Sequence, residues 1–252
     1  MKENLSVPIA IVVAGIIIGG ALYFSNMGGS NTSDNPNPTP TPTGTEMAEL
    51  GPGPITEQDH VLGNPNAPVS MFIYSDLECP YCRNFHETTN QVSNDYGKNG
   101  QVKIIFRHFP LSQIHPSAQK LAEGSECAAE LGGEEKFWGF IDKLIELGTT
   151  DPLKTAQSIG IDKTAFQSCL DSGKYAQKIS SDLQDGIESG VQGTPNAIIV
   201  SNSGKKYYIP GAFPYLDSAL YSQLDPVQRT DICSEETQEC GVKITIEKAL
   251  AE

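Results

Sequence analysis

Two apolar runs on either side of a helix-compatible segment constrain the fold of this chain more than any other feature. The first run, Val69 to Ser75 (VSMFIYS), is apolar on both alternating faces and predicts a strand buried on both sides. A helix is predicted from Cys79 to about Tyr96, ending at Gly97, and a second strand from Val102 to Phe109, ending at Pro110. These elements form a βαβ unit, which requires parallel strands.

The sequence that follows predicts a helical block and then two more strands. Apolar periodicity indicates helices over Pro116 to Leu131, Glu134 to Leu147, Asp151 to Ile159, Lys163 to Leu170 and Lys174 to Glu188. Strands at Asn196 to Ser201 and Lys206 to Ile209 are joined by an NSG turn, and a closing helix is predicted over Phe213 to Gln223. This order predicts an α/β sheet interrupted by a helical insertion.

The first 54 residues differ in composition from the rest. Val7 to Phe24 is an uncharged run of 18 residues, long enough to cross a bilayer as a helix. A cleaved signal peptide is the competing interpretation, although no clear A-x-A pattern follows the run. Lys2 is the only Lys or Arg before Arg83. A basic residue on this side of the run favours an orientation in which the chain after Phe24 lies outside the cytoplasm. We predict a membrane anchor (or signal) at residues 1–24 and a disordered Pro-, Thr- and Asn-rich linker at residues 25–54.

Cys79 and Cys82 form a C-x-x-C pair at the start of the first predicted helix. Such a pair can belong to a metal site, a structural disulfide or a redox centre. A metal site needs further ligands, and the sequence has no second C-x-x-C or H-x-H companion. A structural disulfide across so short a loop adds little to the free energy of unfolding. Because a helix N-terminus stabilises the thiolate that disulfide exchange requires, we favour a redox centre without metal.

The position of each residue near the pair predicts its role. Cys79 is the predicted attacking thiol, and Cys82, one turn deeper on the same side, is the predicted resolving thiol. Pro80 suits the first helical turn because it has no N–H. Asp76 is a candidate to relay a proton to or from Cys82, whereas Glu78 is expected to be a solvated turn residue.

Charge and histidine content add two expectations. The formal charge of −14 and the isoelectric point near 4.6 argue against nucleic acid as a partner. His86 shares a helix face with Cys82 but is expected to be a surface or boundary residue. The spacing of the remaining histidines suggests no functional cluster: His60, His108 and His115.

A family resemblance lies in three features of the sequence: the strand before ECPYC, the segment GVQGTPNAIIV and the final GAFPYLDSAL. In these features the chain resembles DsbA-like proteins of the thioredoxin-fold superfamily from Ile55 to Leu224. The resemblance implies a thioredoxin fold over residues 55–225 with a helical insertion at about 112–190. It also implies a cis Pro195 in a loop that faces the cysteines, a geometry that the residues alone leave open. The implied substrate-binding loops contain Pro80, Tyr81, Thr194 and Pro195.

The other four cysteines are predicted to form structural disulfides in an exported protein. Cys127 and Cys169 are expected to pair within the helical insertion, with free buried thiols as the alternative. Cys233 and Cys240 are close enough for a small-loop disulfide in the acidic extension, residues 226–252. The alternation of VKITI in that extension predicts an edge strand. The sequence leaves three alternatives for the role of the extension: a lid, a packing element or a partner surface.

These features predict a membrane-tethered extracytoplasmic thiol:disulfide oxidoreductase that introduces disulfides into exported proteins without a metal or organic cofactor. The resemblance implies reoxidation by a membrane quinone-linked oxidase, DsbB-like or vitamin-K-epoxide-reductase-like (VKOR-like). A reductase or isomerase of the same fold is the alternative, since the direction depends on the reduction potential, and Pro80-Tyr81 is also the dipeptide typical of glutaredoxins. The second alternative is a non-catalytic binding or chaperone module, in which the cysteines form only a structural disulfide.

Overall fold

A five-stranded sheet forms the centre of the protein. The computed structural model describes residues 50–216, 222–223 and 241–252. The strands are β1 His60–Leu62, β2 Val69–Ser75, β3 Val102–His108, β4 Asn196–Val200 and β5 Lys206–Pro210, in the spatial order β1-β3-β2-β4-β5. Strands β2 and β3 are parallel and the other pairs are antiparallel, so the predicted βαβ unit is confirmed. The α/β class is therefore correct.

Helices cover both faces of this sheet. They are α1 Pro80–Val92, α2 Ala118–Leu147, α3 Pro152–Ser158, α4 Lys163–Ser172, α5 Ala176–Glu188 and α6 Val242–Leu250. Alternate residues of β2 point to opposite faces, as strand geometry requires. Met71 and Ile73 pack in one cluster with residues of α1 and α6, whereas Phe72 and Tyr74 pack in another with Leu183 of α5. The strand next to the cysteines is thus buried on both sides, as predicted.

Helices α2, α3 and α4 form the insertion between β3 and α5. Helix α2 is kinked at Gly132 and Gly133, and Gly133 has the positive φ of 73° that glycine tolerates. After the kink, Phe137 and its neighbours pack against Phe106 of the sheet. The Cys127–Cys169 disulfide joins the first half of α2 to α4 within a separate apolar cluster.

Two predictions for the C-terminal part are wrong. VKITI is not an edge strand but the first part of α6, because Val242, Ile246 and Ala249 recur at helical spacing and pack on the sheet. The closing helix does not begin at Phe213, since residues 213–216 are not helical. Pro214 disfavours a helical conformation for the residue before it. Residues 222–223 are helical, and the rest of that predicted helix lies outside the described residues, as does the predicted Cys233–Cys240 pair.

Two further differences concern the start of the domain. Strand β1 has only three residues and was not predicted, because so short a run carries no periodic signal. The last residues of the predicted linker, 50–54, bind the domain: the Tyr208 hydroxyl donates to the Leu50 carbonyl, and Arg107 donates to the carbonyls of Gly53 and Pro54. Across residues 50–216, 222–223 and 241–252 no helix is both long and apolar enough to span a membrane. The predicted span at residues 7–24 lies outside these ranges.

Candidate active site

Cys79 lies at the N-cap of α1, immediately after β2. Its extended backbone (φ −63°, ψ 124°) precedes Pro80 at the first helical position, which needs no hydrogen-bond partner. The unpaired backbone N–H groups of the first turn therefore face the Cys79 sulfur, and those of Tyr81 and Cys82 interact with it. Both cysteines are reduced and buried, whereas Tyr81 between them is 65% exposed.

The pKa values of the two thiols are shifted in opposite directions. A hydrogen bond from the Cys82 thiol is the largest cause that lowers the pKa of Cys79, to about 5, and it outweighs the opposing effect of burial. Burial is the largest cause that raises the pKa of Cys82, and its hydrogen bond to Cys79 adds to the effect. At neutral pH the pair therefore holds a thiolate at Cys79 and a proton at Cys82, which suits Cys79 as nucleophile.

The loop before β4 lies directly against the thiols. The Thr194–Pro195 peptide bond is cis, and the Cys79 sulfur lies 3.6 Å from the Thr194 carbonyl oxygen, to which the protonated thiol donates. The Thr194 hydroxyl is buried and has no hydrogen-bond partner among the described residues in this reduced form. It contributes to the lowered pKa of Cys79, so its role is to donate to a sulfur that carries negative charge.

Asp76 lies beneath the pair with 1% of its surface exposed. One carboxylate oxygen accepts from the N–H groups of Glu78 and Cys79, at 2.8 and 3.3 Å. The backbone N–H of Asp76 donates to the Cys82 sulfur at 3.4 Å. Asp76 is therefore in direct hydrogen-bond contact with the segment that carries both thiols.

The second carboxylate oxygen of Asp76 binds the loop that begins the insertion. It accepts from the Leu111 N–H and from Nδ1 of His115, both at 2.8 Å. Glu78 binds the same loop, since its carboxylate accepts from the Ser117 N–H at 2.6 Å. The expectation that Glu78 is a solvated turn residue is therefore wrong. These contacts hold Ile114, which is 69% exposed, at the surface of the loop.

Glu126 is the centre of a separate buried ionic cluster. Its carboxylate contacts His60 Nε2 at 3.1 Å, His108 Nε2 at 3.0 Å and Lys178 Nζ at 2.9 Å. Burial opposes ionisation, but these partners hold the pKa of Glu126 well below its usual range. The fold thus brings His60 and His108 to one carboxylate, which no local spacing in the sequence relates, whereas His115 lies apart from them, against Asp76.

Other predicted residues lie apart from the thiols or in a different setting. His86 is a half-buried boundary residue that binds the Asp142 carboxylate at 2.6 Å, with 12% of its side chain exposed. In the part of the chain that the structure describes, no group of three or more His, Cys, Asp or Glu side chains is arranged to hold a metal ion. Thiol–disulfide exchange needs a thiolate and a second thiol, and Cys79 and Cys82 provide both.

A sequence profile of the thioredoxin family matches residues 55–208. The chain belongs to the thioredoxin family. Together with a C-x-x-C pair at a helix N-terminus and a facing cis proline, this membership gives the chain the arrangement of thiols that thiol–disulfide exchange requires. The thioredoxin fold that the resemblance of the sequence implied is thereby confirmed.

Solved structures similar to this thioredoxin-family protein include an alpha-DsbA1 and a BdbD. Alpha-DsbA1 of Wolbachia pipientis has a TM-score of 0.56 and 23% identity, over 78% of this chain and 93% of that one. BdbD of Bacillus subtilis, in its oxidised form, has a TM-score of 0.57 and 21% identity, over 81% of this chain and 99% of that one. At these identities the likeness supports a shared fold with a helical insertion.

Curated relatives of the thioredoxin-family protein are named as Na⁺/H⁺ antiporters. Antiporter NhaA 3 of Salinispora tropica is 34% identical over 170 residues, which cover 66% of this chain and 25% of that protein. NhaA 1 of Mycolicibacterium gilvum is 31% identical over 160 residues, again over 25% of its length. The chain thus spans about a quarter of the length of these relatives.

Proposed function

We propose that this thioredoxin-family protein is a membrane-tethered extracytoplasmic oxidase that donates a Cys79–Cys82 disulfide to exported proteins. The observation that carries the proposal is the position of Cys79 at the N-cap of α1, against the cis Thr194–Pro195 loop, with Cys82 buried one turn deeper. This position lowers the pKa of Cys79. A strongly stabilised Cys79 thiolate lowers the free energy of the reduced form relative to the disulfide. A site that prefers to be reduced takes electrons from its substrate, which is the direction of an oxidase.

The reaction follows from the positions of the sulfurs. A substrate thiolate attacks Cys79 Sγ, a mixed disulfide forms, and Cys82 leaves with the electron pair of the broken bond. A second substrate thiolate then attacks the substrate sulfur of the mixed disulfide and releases Cys79 as thiolate. The substrate has lost two electrons, and Cys79 and Cys82 are reduced.

Exposed apolar side chains near Cys79 support a polypeptide substrate. Tyr81 and Ile114 are 65% and 69% exposed, and both belong to segments that surround the thiol. Apolar side chains of an incompletely folded protein are their natural partners, because burying them against such a surface is favourable. The Cys127–Cys169 disulfide supports an oxidising compartment, where such bonds persist.

The membrane tether and the redox partner rest on the sequence. The uncharged run at residues 7–24 supports an anchor, and the segment after it supports a linker that holds the domain outside. Catalytic turnover requires an electron acceptor, for which we propose a membrane quinone-linked oxidase of DsbB-like or VKOR-like type. Ion transport is what the names of the antiporter relatives describe, and this chain spans only about a quarter of their length.

Equilibration of the purified protein with glutathione buffers tests the direction. A reduction potential of the Cys79–Cys82 pair near or above about −150 mV supports the oxidase, and one near −270 mV assigns a reductase instead. The Cys79→Ser variant is the control, because it retains the Cys127–Cys169 disulfide but has no exchanging pair. A wild-type protein that does not react with glutathione, and that functions as well after Cys79→Ser, would support the binding-module alternative.

Membrane fractionation of cells tests the location. The full chain is expected in the membrane fraction, accessible to protease added from outside, and a chain without residues 1–24 is expected to lose that association. Retention of the shortened chain in the membrane would contradict the proposed anchor.

A further inference from the structure

Helix α2 is bent at Gly132 and Gly133, and His60 of β1 binds both sides of the bend. Its Nε2 atom lies 3.1 Å from the Glu126 carboxylate, which belongs to the first half of the helix. Its Nδ1 atom lies 2.7 Å from the Glu134 carboxylate, which belongs to the second half. One imidazole ring thus connects two carboxylates that the two non-helical glycines separate.

The same ring packs on the second half of α2. The imidazole is stacked on Phe137, with ring centroids 3.5 Å apart and an interplanar angle of 13°. Phe137 contacts Trp138 edge to face, and the Trp138 indole N–H donates to the other oxygen of Glu134 at 3.2 Å. Stacking and hydrogen bonding therefore connect this part of the helix to one side chain of β1.

The second half of α2 also covers Cys82 of α1. A cavity of about 20 Å³, room for a single water molecule, lies beside this cysteine. On the side of α2 its lining consists of Trp138, Ile141 and Ile145. Because Cys82 is only 5% exposed, a shift of this half of the helix would change how easily a reagent or a substrate reaches the sulfur.

The protonation state of His60 decides whether both hydrogen bonds exist together. An imidazolium has two N–H donors, whereas a neutral imidazole has one and can donate to only one of the two carboxylates. Burial would lower the pKa of His60, but Glu126 and Glu134 outweigh burial and raise that pKa above its ordinary value of 6.5. The ring therefore keeps its proton to a higher pH than an ordinary histidine, and one of the two contacts is lost as pH rises through this pKa.

The two carboxylates differ in their other partners. Glu126 also binds His108 and Lys178, at 3.0 and 2.9 Å, and its side chain is 3% exposed. The Glu134 side chain is 54% exposed, so water can take the place of the imidazole there. Loss of the His60 proton therefore frees Glu134, and with it the second half of α2, whereas Glu126 stays bound.

Ionisable groups face this ring from the other elements that surround it. His108 of β3 shares the Glu126 carboxylate, but it is fully buried and burial lowers its pKa, so it stays neutral. A cavity of about 530 Å³ gives His60 a path to solvent. The other ionisable groups that line this cavity or bind its lining are Glu57 before β1, Lys174 and Tyr175 before α5, and Lys178 and Asp182 of α5. His60 is therefore the histidine of this cluster that carries the titrating proton.

We propose that His60 is a positioning residue that holds the bend of α2 while it is protonated, and that loss of its proton releases the second half of α2 from Cys82. Cys82 is the thiol that attacks a mixed disulfide at Cys79, so its accessibility affects how fast that intermediate is resolved. The proton leaves to solvent through the cavity beside His60, and no covalent bond changes. This inference rests on exchange at Cys79–Cys82 but not on its direction.

The fluorescence of Trp138 measures the state of the bend, because the chain has a single tryptophan. We expect a one-proton transition between about pH 6 and pH 9 in the wild type and none in His60→Gln, since glutamine keeps an N–H donor but does not titrate. Glu134→Gln is expected to move the midpoint to lower pH, because the Glu134 charge helps to raise the pKa of His60.

Glu135→Gln is the matched control. It removes the same charge from the next residue, which is exposed and points about 100° away around the helix axis. This variant is expected to keep the wild-type midpoint.

The reactivity of Cys82 tests the connection to the thiols. In the Cys79→Ser background, alkylation of Cys82 by iodoacetamide is followed by mass spectrometry of its peptide over the same pH range, with and without His60→Gln. The ratio of the two rates cancels the ionisation of Cys82, which both proteins share. We expect about tenfold faster alkylation with His60→Gln near pH 6, since loss of a hydrogen bond to a charged group shifts an equilibrium by about this factor, and similar rates near pH 9.

Two results would overturn the proposal. One is a Trp138 fluorescence that does not change over this range, or that changes equally in His60→Gln. The other is a rate ratio that is the same at every pH, which would reduce His60 to a structural role. If His60→Gln does not fold, the midpoint shift in Glu134→Gln decides the question, because that side chain is largely exposed. A protein that shows the transition but does not exchange with glutathione would instead refute the proposed function.

Discussion

The Cys82→Ala substitution tests the assigned cause of the Cys79 acidity. The Cys82 thiol is the largest cause that lowers the pKa of Cys79 from the ordinary 9.0 to about 5. With a pKa of about 5, about 99% of Cys79 is thiolate near pH 7, compared with about 1% for an ordinary thiol. Removing the Cys82 thiol is expected to raise the pKa by about one pH unit or more, because backbone N–H groups and Thr194 remain.

The ultraviolet absorbance of the thiolate measures this pKa directly in the reduced protein. We expect a transition with a midpoint near pH 5 in the wild type, a higher midpoint in Cys82→Ala, and no such transition in Cys79→Ser. The pH dependence of iodoacetamide alkylation provides an independent measurement, since only the thiolate reacts. A wild-type midpoint near pH 9, or an unchanged midpoint in Cys82→Ala, would refute the electrostatic account of the site.

The same pKa predicts a change in stability with a definite sign. The folded-state pKa of Cys79 is depressed, so the contribution is fully present above the unfolded value and is lost as pH falls through about 5. Near pH 7 it stabilises the reduced form by about 3 kcal/mol, which raises the reduction potential by about 60 mV. Urea unfolding of the reduced protein at about pH 7 and pH 4 measures it, with Cys79→Ser as the control. Equal pH dependence in both proteins would contradict this linkage.

Three other substitutions have defined outcomes. The double variant Cys127→Ala/Cys169→Ala is expected to lose about 4 kcal/mol of unfolding free energy in urea, because the bridge closes a separation of 42 residues, while glutathione exchange continues. Thr194→Val is expected to raise the pKa of Cys79 in the thiolate titration, and an unchanged value would show that the hydroxyl does not reach the sulfur. Glu126→Gln is expected to cost about 3–5 kcal/mol at neutral pH, because Lys178 stays buried without its closest anion. Since the folded-state pKa of Glu126 is depressed, that difference is expected to shrink as pH falls below about 4.5.

Local sequence patterns were sufficient to predict much of the fold. The runs VSMFIYS and VKIIFRHF are long and apolar, so the parallel strands could be placed from composition alone. Helix α6 was predicted as a strand because VKITI is short and rich in β-branched residues, and its helical spacing appears only when Ala249 is included. The sheet provides the apolar surface that decides between the two periods.

The sequence by itself determined the chemistry of the site, since Cys79 and Cys82 are three positions apart at the start of a helix after a buried strand. Only the tertiary structure decided which groups tune them. Thr194 lies 115 residues from Cys79 along the chain, and His115 lies 39 residues from Asp76, yet both pairs are in contact. Local propensity contains no information about such pairs, because they are brought together by the packing of the loops on the sheet and not by the conformation of either segment.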